Sequence, residues 1–292
     1  MNCAVARLWG RIARRSSALY ALVLSMMLAP TAALAWGADG HRITGHIATA
    51  WLTEGTRSAL EELFGSADLS LIANYMDQNL AKLEAEYPGS RGWHYNNRPI
   101  CARRDAFESY CGDGHCATKQ IFRWHQLLQD EHVSDEDKRL AVRVIVHVVG
   151  DMHQPLHMAD NGDRGGNNVY IRVPGESHRL KLHKAWDTTF VADVRGSLSD
   201  KQYAAALVRK YESRRVKWQS GRIRDWAAES AALAKAHAYR LDGFACNWDD
   251  KPTVSVDAEY VKSATTLIPE QLAKAGARIA WLLNSALDES SP

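Results

Sequence analysis

The sequence predicts an all-α fold, a mainly helical single domain with one small β-hairpin, and three observations support that prediction. Apolar residues recur every three or four positions along most of the chain, as on the buried face of a helix. Only residues 169–182 alternate instead, on either side of a Pro-Gly turn, which is typical of a hairpin. No internal repeat or low-complexity linker divides the chain, and its length suits one domain while leaving two open.

The periodicity places helices, in order, at residues 41–53, 56–64, 68–84, 117–131, 135–152, 183–194, 199–218, 222–240 and 257–287. The start at residue 135 is the best defined, because Ser134 offers an N-cap oxygen and three acidic residues follow it. Residues 86–116 are predicted to form a long loop, since Gly, Pro, Asn and Cys crowd together there. The alanine-rich last helix contains no candidate ligand, so we expect it to serve packing alone.

Residues 1–35 have the features of an export signal. Four arginines precede a short apolar run, and the segment ends in an A-x-A cleavage site at Ala35. The apolar run is short for a membrane span, so we expect a cleaved signal peptide, with a retained N-terminal anchor as the alternative. Cleavage leaves residues 36–292 as the mature domain, secreted or periplasmic.

The charge balance of the mature domain argues against long electrostatic tracking of nucleic acid. Without the four arginines of the signal, 32 basic residues face 34 acidic ones, which gives a formal net charge of −2. Proteins that hold nucleic acid mainly by charge need a clear excess of Lys and Arg. If the protein acts on phosphates, bound metals must supply most of the local positive charge.

Four cysteines follow the signal, and an even number in an exported chain predicts two disulfides. Cys111 and Cys116 flank a tight glycine-containing loop that can close on itself, which leaves Cys101 to pair with Cys246. A zinc site made of cysteines and His115 is the alternative, but the oxidising compartment favours disulfides.

The run HVVGDMHQPLH contains the strongest candidate metal ligands. His147 and Asp151 are four residues apart, so on a helix their side chains share one face and can reach one metal. His183 and Asp187 repeat this spacing, and His157 adds a fifth group. Imidazole and carboxylate are ordinary zinc ligands, and sites without thiolates are more often catalytic than structural. The cluster predicts a multinuclear zinc site, although a surface ion pair is the alternative for either pair alone.

Further candidate ligands are weaker by spacing. Asp151 lies among valines, where a carboxylate is costly to bury unless it is paired or bound to metal; bridging two metals would satisfy both oxygens. Asp77 and His94 do not lie at a regular spacing from the other candidates. For Asp77, the alternative to metal binding is an ordinary exposed position on a helix. After cleavage, the amine and carbonyl of Trp36 can chelate one metal, with His41 completing the site, whereas a frayed terminus is the default.

Taken in order, WGADGH, an Asp, WHY, HVVGDMHQPLH, GGN and HKAWD resemble the motifs of the secreted zinc-dependent type I nucleases. The resemblance covers essentially the whole chain after residue 35, and the ordered set is far more specific than any single motif. That family contains single-strand-preferring nucleases and 3′-nucleotidases. Bacterial zinc phospholipases C are distant relatives with a similar three-zinc design. The four cysteines also match the family's short bridge and long bridge.

The resemblance implies a helical fold with three zinc ions at the base of a cleft. The implied ligands are Asp77, His94, His147 and Asp151 for one zinc, His157, His183 and Asp187 for a second, and Trp36, His41 and the other oxygen of Asp151 for the third. The implied reaction is hydrolysis of RNA and single-stranded DNA, possible also on duplex DNA, at the P–O3′ bond. It leaves 5′-phosphates, and the same site removes 3′-phosphates from mononucleotides.

The resemblance also implies residues for catalysis and substrate binding. Asp77 and Asp151 would act in catalysis, as would Asn97, which stands where relatives commonly have Asp. The implied substrate-binding residues are Tyr95, which would stack an unpaired base, Asn167 in the Gly-Gly-Asn loop, and Thr188, where many relatives have Asn. Packing of Tyr95 against its loop and a plain turn at the glycines are the alternatives. The two departures bear on rate and pH optimum more than on reaction class.

Two other functions compete with a nuclease. A zinc phospholipase C would use the same ligands but needs an apolar rim that meets lipid, and no exposed aromatic-lysine loop in the sequence demands one. A non-catalytic exported zinc-binding protein would have a closed site without an open position for water. Zincin and serine-hydrolase chemistry lack their motifs, H-E-x-x-H and G-x-S-x-G. We expect a monomer without stable membrane association.

Overall fold

Helices make up most of the described chain, as the spacing of its apolar residues predicts. The computed structural model describes residues 36–101, 111, 113–248 and 252–288, so the expected export signal lies outside the described residues. The earlier helices are α1 (Ala38–Ala50), α2 (Glu54–Phe64), α3 (Tyr75–Gln78), α4 (Leu80–Glu86), α5 (Ala117–Leu128) and α6 (Asp135–Met152). The later helices are α7 (Leu182–Lys184), α8 (Phe190–Arg195), α9 (Asp200–Tyr211), α10 (Arg215–Trp218), α11 (Ile223–Leu233) and α12 (Ala258–Leu287). The mainly helical fold class is confirmed.

The helix expected at 68–84 is interrupted, and the interruption leaves a backbone carbonyl available to a candidate ligand. A 3-10 turn at Leu69–Leu71 precedes α3, and Asn79 separates α3 from α4. The Asn79 side chain donates to the Tyr75 carbonyl, which is the local bonding that makes asparagine poor inside helices. Because no regular helix runs through residue 73, the Ala73 carbonyl is available to accept a hydrogen bond from His147.

Helix α6 is the central element. Its start is the predicted one, since the Ser134 hydroxyl accepts from the Asp137 amide at 3.2 Å. From Leu140 to Met152 all its residues except Arg143 are buried, which is why this stretch is rich in valine. His147 and Asp151 are therefore placed in the interior by the apolar residues around them.

Helix α12 packs closely against α1. A Cβ on Gly276 would lie only 2.4 Å from Cγ2 of Ile47, so glycine is needed for the two helices to approach this closely. The expectation that α12 serves packing alone was wrong, because it also buries Lys274 and Arg278. Both cations contact Glu229 of α11.

The predicted hairpin is present but belongs to a three-stranded sheet. Strands β1 (Tyr170–Arg172) and β2 (Leu180–Lys181) pair antiparallel, and β3 (Thr253–Ser255) adds in parallel on the other side of β1. The sequence analysis missed β3 because three residues with one apolar side chain show no alternation. Its pairing with β1 is a long-range contact that local pattern cannot reveal.

Both predicted disulfides are present, Cys111–Cys116 and Cys101–Cys246. The alternative of a cysteine zinc site is therefore wrong, since all four sulfurs are bonded in pairs. The long bridge links the segment after His94 to the loop before β3. Among the described residues, no helix is both long enough and apolar enough to span a membrane.

Candidate metal centre

The first group of ligands comes from three separate segments. Asp77 lies on α3, His94 ends the 3-10 turn Ser90–His94, and His147 and Asp151 lie on α6. His94 Nδ1 lies 3.1 Å from His147 Nε2 and 2.9 Å from Asp151 Oδ2. His147 Nε2 lies 3.4 Å from both Asp77 Oδ1 and Asp151 Oδ2. Tetrahedral zinc with bonds of about 2.0 Å keeps its ligand atoms about 3.3 Å apart, so this spacing suits one zinc ion.

The second group consists of His157, His183 and Asp187, all buried. His183 Nε2 lies 3.1 Å from His157 Nε2 and 3.2 Å from Asp187 Oδ2. Asp187 belongs to a π-helical turn, Ala185–Thr189, between α7 and α8. Such wide turns often occur at functional sites, and here the turn carries a candidate ligand.

The third group uses the other oxygen of Asp151. His41 Nε2 lies 3.1 Å from Asp151 Oδ1, and the His41 ring stacks on His147 with centroids 3.9 Å apart. Gly150 makes room for this ring, since a Cβ there would lie 3.0 Å from His41 Nδ1. Asp151 therefore points one oxygen at each of two candidate sites.

Trp36 is anchored beside these groups rather than frayed. Its indole lies in the hydrophobic core. The next amide, of Gly37, donates to the Asp187 carbonyl at 2.9 Å. A Cβ on Gly37 would meet Cγ2 of Thr188 at 2.4 Å, so this close approach requires glycine. The backbone of Trp36 is thus held next to the second group, and His41 follows one helical turn later.

Backbone carbonyls orient three of the imidazoles. The Nδ1 atoms of His147, His157 and His183 donate to the carbonyls of Ala73, His94 and Gly165, at 2.8, 2.8 and 2.6 Å. Each bond directs the Nδ1 proton to a carbonyl and aims Nε2 into the cluster. None of these acceptors can be recognised in the sequence, because a carbonyl belongs to every residue.

The Gly-Gly-Asn loop supports a ligand. Gly165 has φ of 61°, and a Cβ there would lie 2.6 Å from the Leu156 carbonyl oxygen. Gly165 thus allows the Leu156 backbone to approach closely, and the Gly165 carbonyl accepts a hydrogen bond from His183. The Asn167 side chain donates to the Arg164 carbonyl at 2.9 Å, as it would in a plain turn. A role for Asn167 in substrate binding remains a prediction.

Gln154 is a positioning residue that the sequence analysis missed. Its amide nitrogen donates to Asp187 Oδ1 at 2.5 Å, while its oxygen accepts from the Leu156 amide at 2.6 Å. Because Gln154 is fully buried, it holds the carboxylate so that Oδ2 faces His183. Its position inside the HVVGDMHQPLH run was the available signal.

Several buried atoms of the cluster have no hydrogen-bond partner among the described residues. They are Asp151 Oδ1, both ring nitrogens of His41, and His94 Nε2. Unpaired polar atoms are rare in protein interiors because each forfeits its hydration. A divalent cation between His41 and Asp151 would satisfy an atom of each, and imidazole and carboxylate are zinc donors. The residues present therefore fit the zinc ions that the resemblance implies.

The first group has a strongly perturbed charge state. Burial alone would lower the pKa of His147, but the Asp151 and Asp77 carboxylates outweigh burial and raise it to about 9. Burial opposes ionisation of Asp151, yet the surrounding imidazoles of His147, His41 and His94 hold its pKa well below the usual range. Two ionised carboxylates thus attract positive charge, and a bound cation would displace the proton from His147.

The second group is neutral by comparison. Burial raises the pKa of Asp187 well above its usual value, against the hydrogen bond from Gln154. Burial and the neighbouring His157 lower the pKa of His183 to about 3. A neutral imidazole is the form that binds metal, and a cation at this group would favour the ionised form of Asp187.

The remaining predicted site residues lie at the surface. Tyr95 directly follows His94 and is 37% exposed. Asn97 is exposed, and Thr188, also exposed, donates its hydroxyl to the Lys184 carbonyl at 2.8 Å. The structure brings the eight ligand side chains together, and it leaves the roles of these three residues as predictions.

Comparison with known proteins identifies the family of this chain. The family model described as S1/P1 Nuclease matches residues 36–288. Nuclease S1 of Aspergillus oryzae is 29% identical over 272 residues, covering 85% of this chain and 90% of that protein. Nuclease P1 of Penicillium citrinum is 28% identical over 273 residues, covering 85% and 97%. Endonuclease 2 of Arabidopsis thaliana is 27% identical over 266 residues, covering 85% and 89%. The chain therefore belongs to the S1/P1 nuclease family.

Proposed function

We propose that residues 36–292 form an exported zinc-dependent phosphodiesterase that hydrolyses RNA and single-stranded DNA to 5′-phosphate products. It also removes the 3′-phosphate from mononucleotides. The observation that carries the proposal is the convergence of eight imidazole and carboxylate side chains from distant segments, with unpaired buried atoms between them. A surface cluster of ion pairs would show neither the burial nor the unpaired atoms.

In this proposal the ligands have separate roles, with Asp151 at the centre of the site. Three zinc ions, when bound, supply Lewis acids for phosphate oxygens and lower the pKa of water to about 7. Asp151 would hold two of these ions, and Asp77 would complete the ligands of the first group. Gln154 holds Asp187 in the second group. Asn97 orients a water molecule but accepts no proton, because its side chain is an amide.

Tyr95 supports the preference for single strands. It is exposed beside the ligand His94, where an aromatic ring can stack an unpaired base. Bases in a duplex are already stacked, so the same contact is available only after unpairing. This arrangement favours unpaired substrates without selecting a sequence.

Export and cleavage after Ala35 complete the site in this proposal. Trp36 then carries an amine in place of the peptide nitrogen, and its buried indole anchors this end of the chain. Both disulfides accord with an oxidising compartment, the periplasm or the medium. We further propose that the enzyme works as a monomer without stable membrane association, which gel filtration and membrane flotation would test.

The proposal is tested by assaying the mature protein on RNA, single-stranded DNA, duplex DNA and adenosine 3′-monophosphate, with and without a chelator. We expect full activity on RNA, single-stranded DNA and the mononucleotide, and lower activity on duplex DNA. Activity should be lost when the chelator is added and should return when zinc is restored. Products should accept a 5′-label only after phosphatase treatment, because they already carry 5′-phosphates. Undiminished cleavage in excess chelator would overturn the zinc mechanism, and hydrolysis of phosphatidylcholine alone would favour the phospholipase alternative.

A further inference from the structure

A second cavity lies between α5, the start of α11 and the end of α12. Its volume is about 610 Å³, and no candidate metal ligand lines it among the described residues. Its apolar wall consists of Phe122, Ile223, Trp281 and Leu282. A cavity of this size can hold a drug-sized or nucleotide-sized group.

Phe122 is the unusual residue of this wall. It lies on α5, one helical turn after Thr118, and is 52% exposed although it is a large apolar side chain. Thr118 and His125 flank it on the same face of the helix, and both line the cavity. The ring therefore offers a free face to any planar group that enters.

The polar rim of the cavity is basic. Lys119, Arg222 and Arg224 line it, and none of the described lining residues is acidic. Arg222 and Arg224 both contact Asp225 at the start of α11, which offsets part of their charge, whereas Lys119 lies on α5. An aromatic face bordered by cations is the combination that binds the base and phosphate of a single-stranded nucleic acid.

Hydrogen bonds join the segment that follows His94 to the start of α5, the helix that lines the cavity. The Ala117 amide donates to the Tyr95 carbonyl at 3.1 Å, and the Asn96 and Thr118 side chains bond to each other at 3.0 Å. Phe122 lies five residues after Ala117, or about 7.5 Å further along α5. A strand that passes Tyr95 therefore needs to continue only a short distance to reach the cavity.

We propose that this cavity is a secondary nucleotide subsite, which binds a base and phosphate of the substrate strand away from the scissile bond. Phe122 stacks the base, and Lys119 contacts a phosphate. The inference rests on the proposed nuclease function and extends it, because it makes affinity depend on strand length. Mononucleotides, which occupy only the metal centre, gain nothing from the subsite.

The test compares two substrates of the zinc-loaded mature protein. Binding is measured with a phosphorothioate oligothymidylate of about eight nucleotides, which resists cleavage, and turnover is measured with adenosine 3′-monophosphate. The variants are Phe122→Ala and the conservative Phe122→Trp. The control is Leu198→Ala, which removes an exposed apolar side chain outside the described cavity lining.

We expect Phe122→Ala to weaken oligonucleotide binding about 5- to 150-fold, the effect of losing one stacked base. Phe122→Trp should retain binding, and mononucleotide turnover should stay unchanged in both. Lys119→Gln should reduce the slope of log affinity against log salt by about 0.7, as for one phosphate contact.

Two results would overturn the subsite. Phe122→Ala could bind the oligonucleotide as well as Leu198→Ala does, or it could lose oligonucleotide binding and mononucleotide turnover in equal measure. If the wild-type protein hydrolyses neither nucleic acid nor the mononucleotide, the proposed function itself is refuted, and the subsite with it.

Discussion

Two buried polar clusters lie near the end of α6. One pairs its polar groups within the protein, and the other leaves several of them unpaired. The arginine cluster consists of His153, Glu229, Lys274 and Arg278. Arg278 donates to His153 Nε2 at 2.8 Å and to Glu229 Oε2 at 2.9 Å, and Lys274 also contacts Glu229. His153 in turn donates to the Val149 carbonyl at 2.7 Å. Each of its charged or ring groups finds a partner within the protein.

The ligand cluster, made of the eight candidate ligands, differs and is more deeply buried. It places imidazoles against imidazoles and leaves Asp151 Oδ1 and His41 Nε2 without hydrogen bonds. Such an arrangement is unfavourable unless another cation joins it. Burial of polar groups therefore identifies a ligand site only where the groups fail to satisfy one another.

The largest effect is expected from Asp151→Asn, because in the proposed site this one carboxylate would hold two ions. We expect loss of two zinc ions together and a fall in activity of about 10²- to 10³-fold, as when a charge-stabilising group is removed from an active site. Metal analysis of the purified variant gives the zinc content, and RNA cleavage gives the rate. Full zinc occupancy would contradict the bridging role.

Breaking the arginine cluster should affect stability and leave the metals in place. Arg278→Met leaves the buried His153 Nε2 without its donor, while Lys274 still contacts Glu229, so we expect the free energy of unfolding to fall by about 1–3 kcal/mol. Arg214→Met is the matched control: Arg214 pairs with Glu270 at 3.1 Å but is 56% exposed, so its loss should have an effect below about 1 kcal/mol. Urea unfolding of the zinc-loaded proteins measures both. If Arg278→Met loses zinc instead, the two clusters are not independent.

Gln154→Leu should weaken the binding of one zinc ion without unfolding the protein. Removing the donor to Asp187 frees that carboxylate to rotate, which typically lowers metal affinity about 10- to 100-fold. Titration against a competing zinc chelator measures the change. Gln120→Leu supplies a control, since Gln120 is also a buried glutamine but bonds Gly114 and Trp124. Equal zinc affinity in both variants would remove Gln154 from the site.

The smallest expected effect is a pH dependence within the arginine cluster. Burial would raise the pKa of Glu229, but Lys274 and Arg278 outweigh burial and lower it to about 2 from 4.5. The stabilisation is therefore present above pH 4.5 and is lost as pH falls towards 2. Because the carboxylate is about one-third exposed, we expect about 1 kcal/mol. The stability difference between wild type and Glu229→Gln should shrink by that amount across this range, and a constant difference would contradict it.

The local pattern of the chain was enough for most of its helices and for the strongest candidate ligands. Apolar spacing located α6, and spacing of four within that helix paired His147 with Asp151. The same approach failed at β3, whose three residues gain their strand conformation only from pairing with β1. It also treated Asp77 and His94 as weak candidates, since no fixed spacing connects them to α6.

Residue identity and spacing along single helices were thus sufficient to predict the strongest candidate ligands, the disulfide partners and the family resemblance. These depend on interactions between near neighbours or on chemistry that each residue carries by itself. Folding alone established which carbonyl orients each imidazole, that Gln154 holds Asp187, and that Arg278 from α12 reaches His153. Those contacts join residues far apart in the chain, and their geometry exists only once the helices have packed.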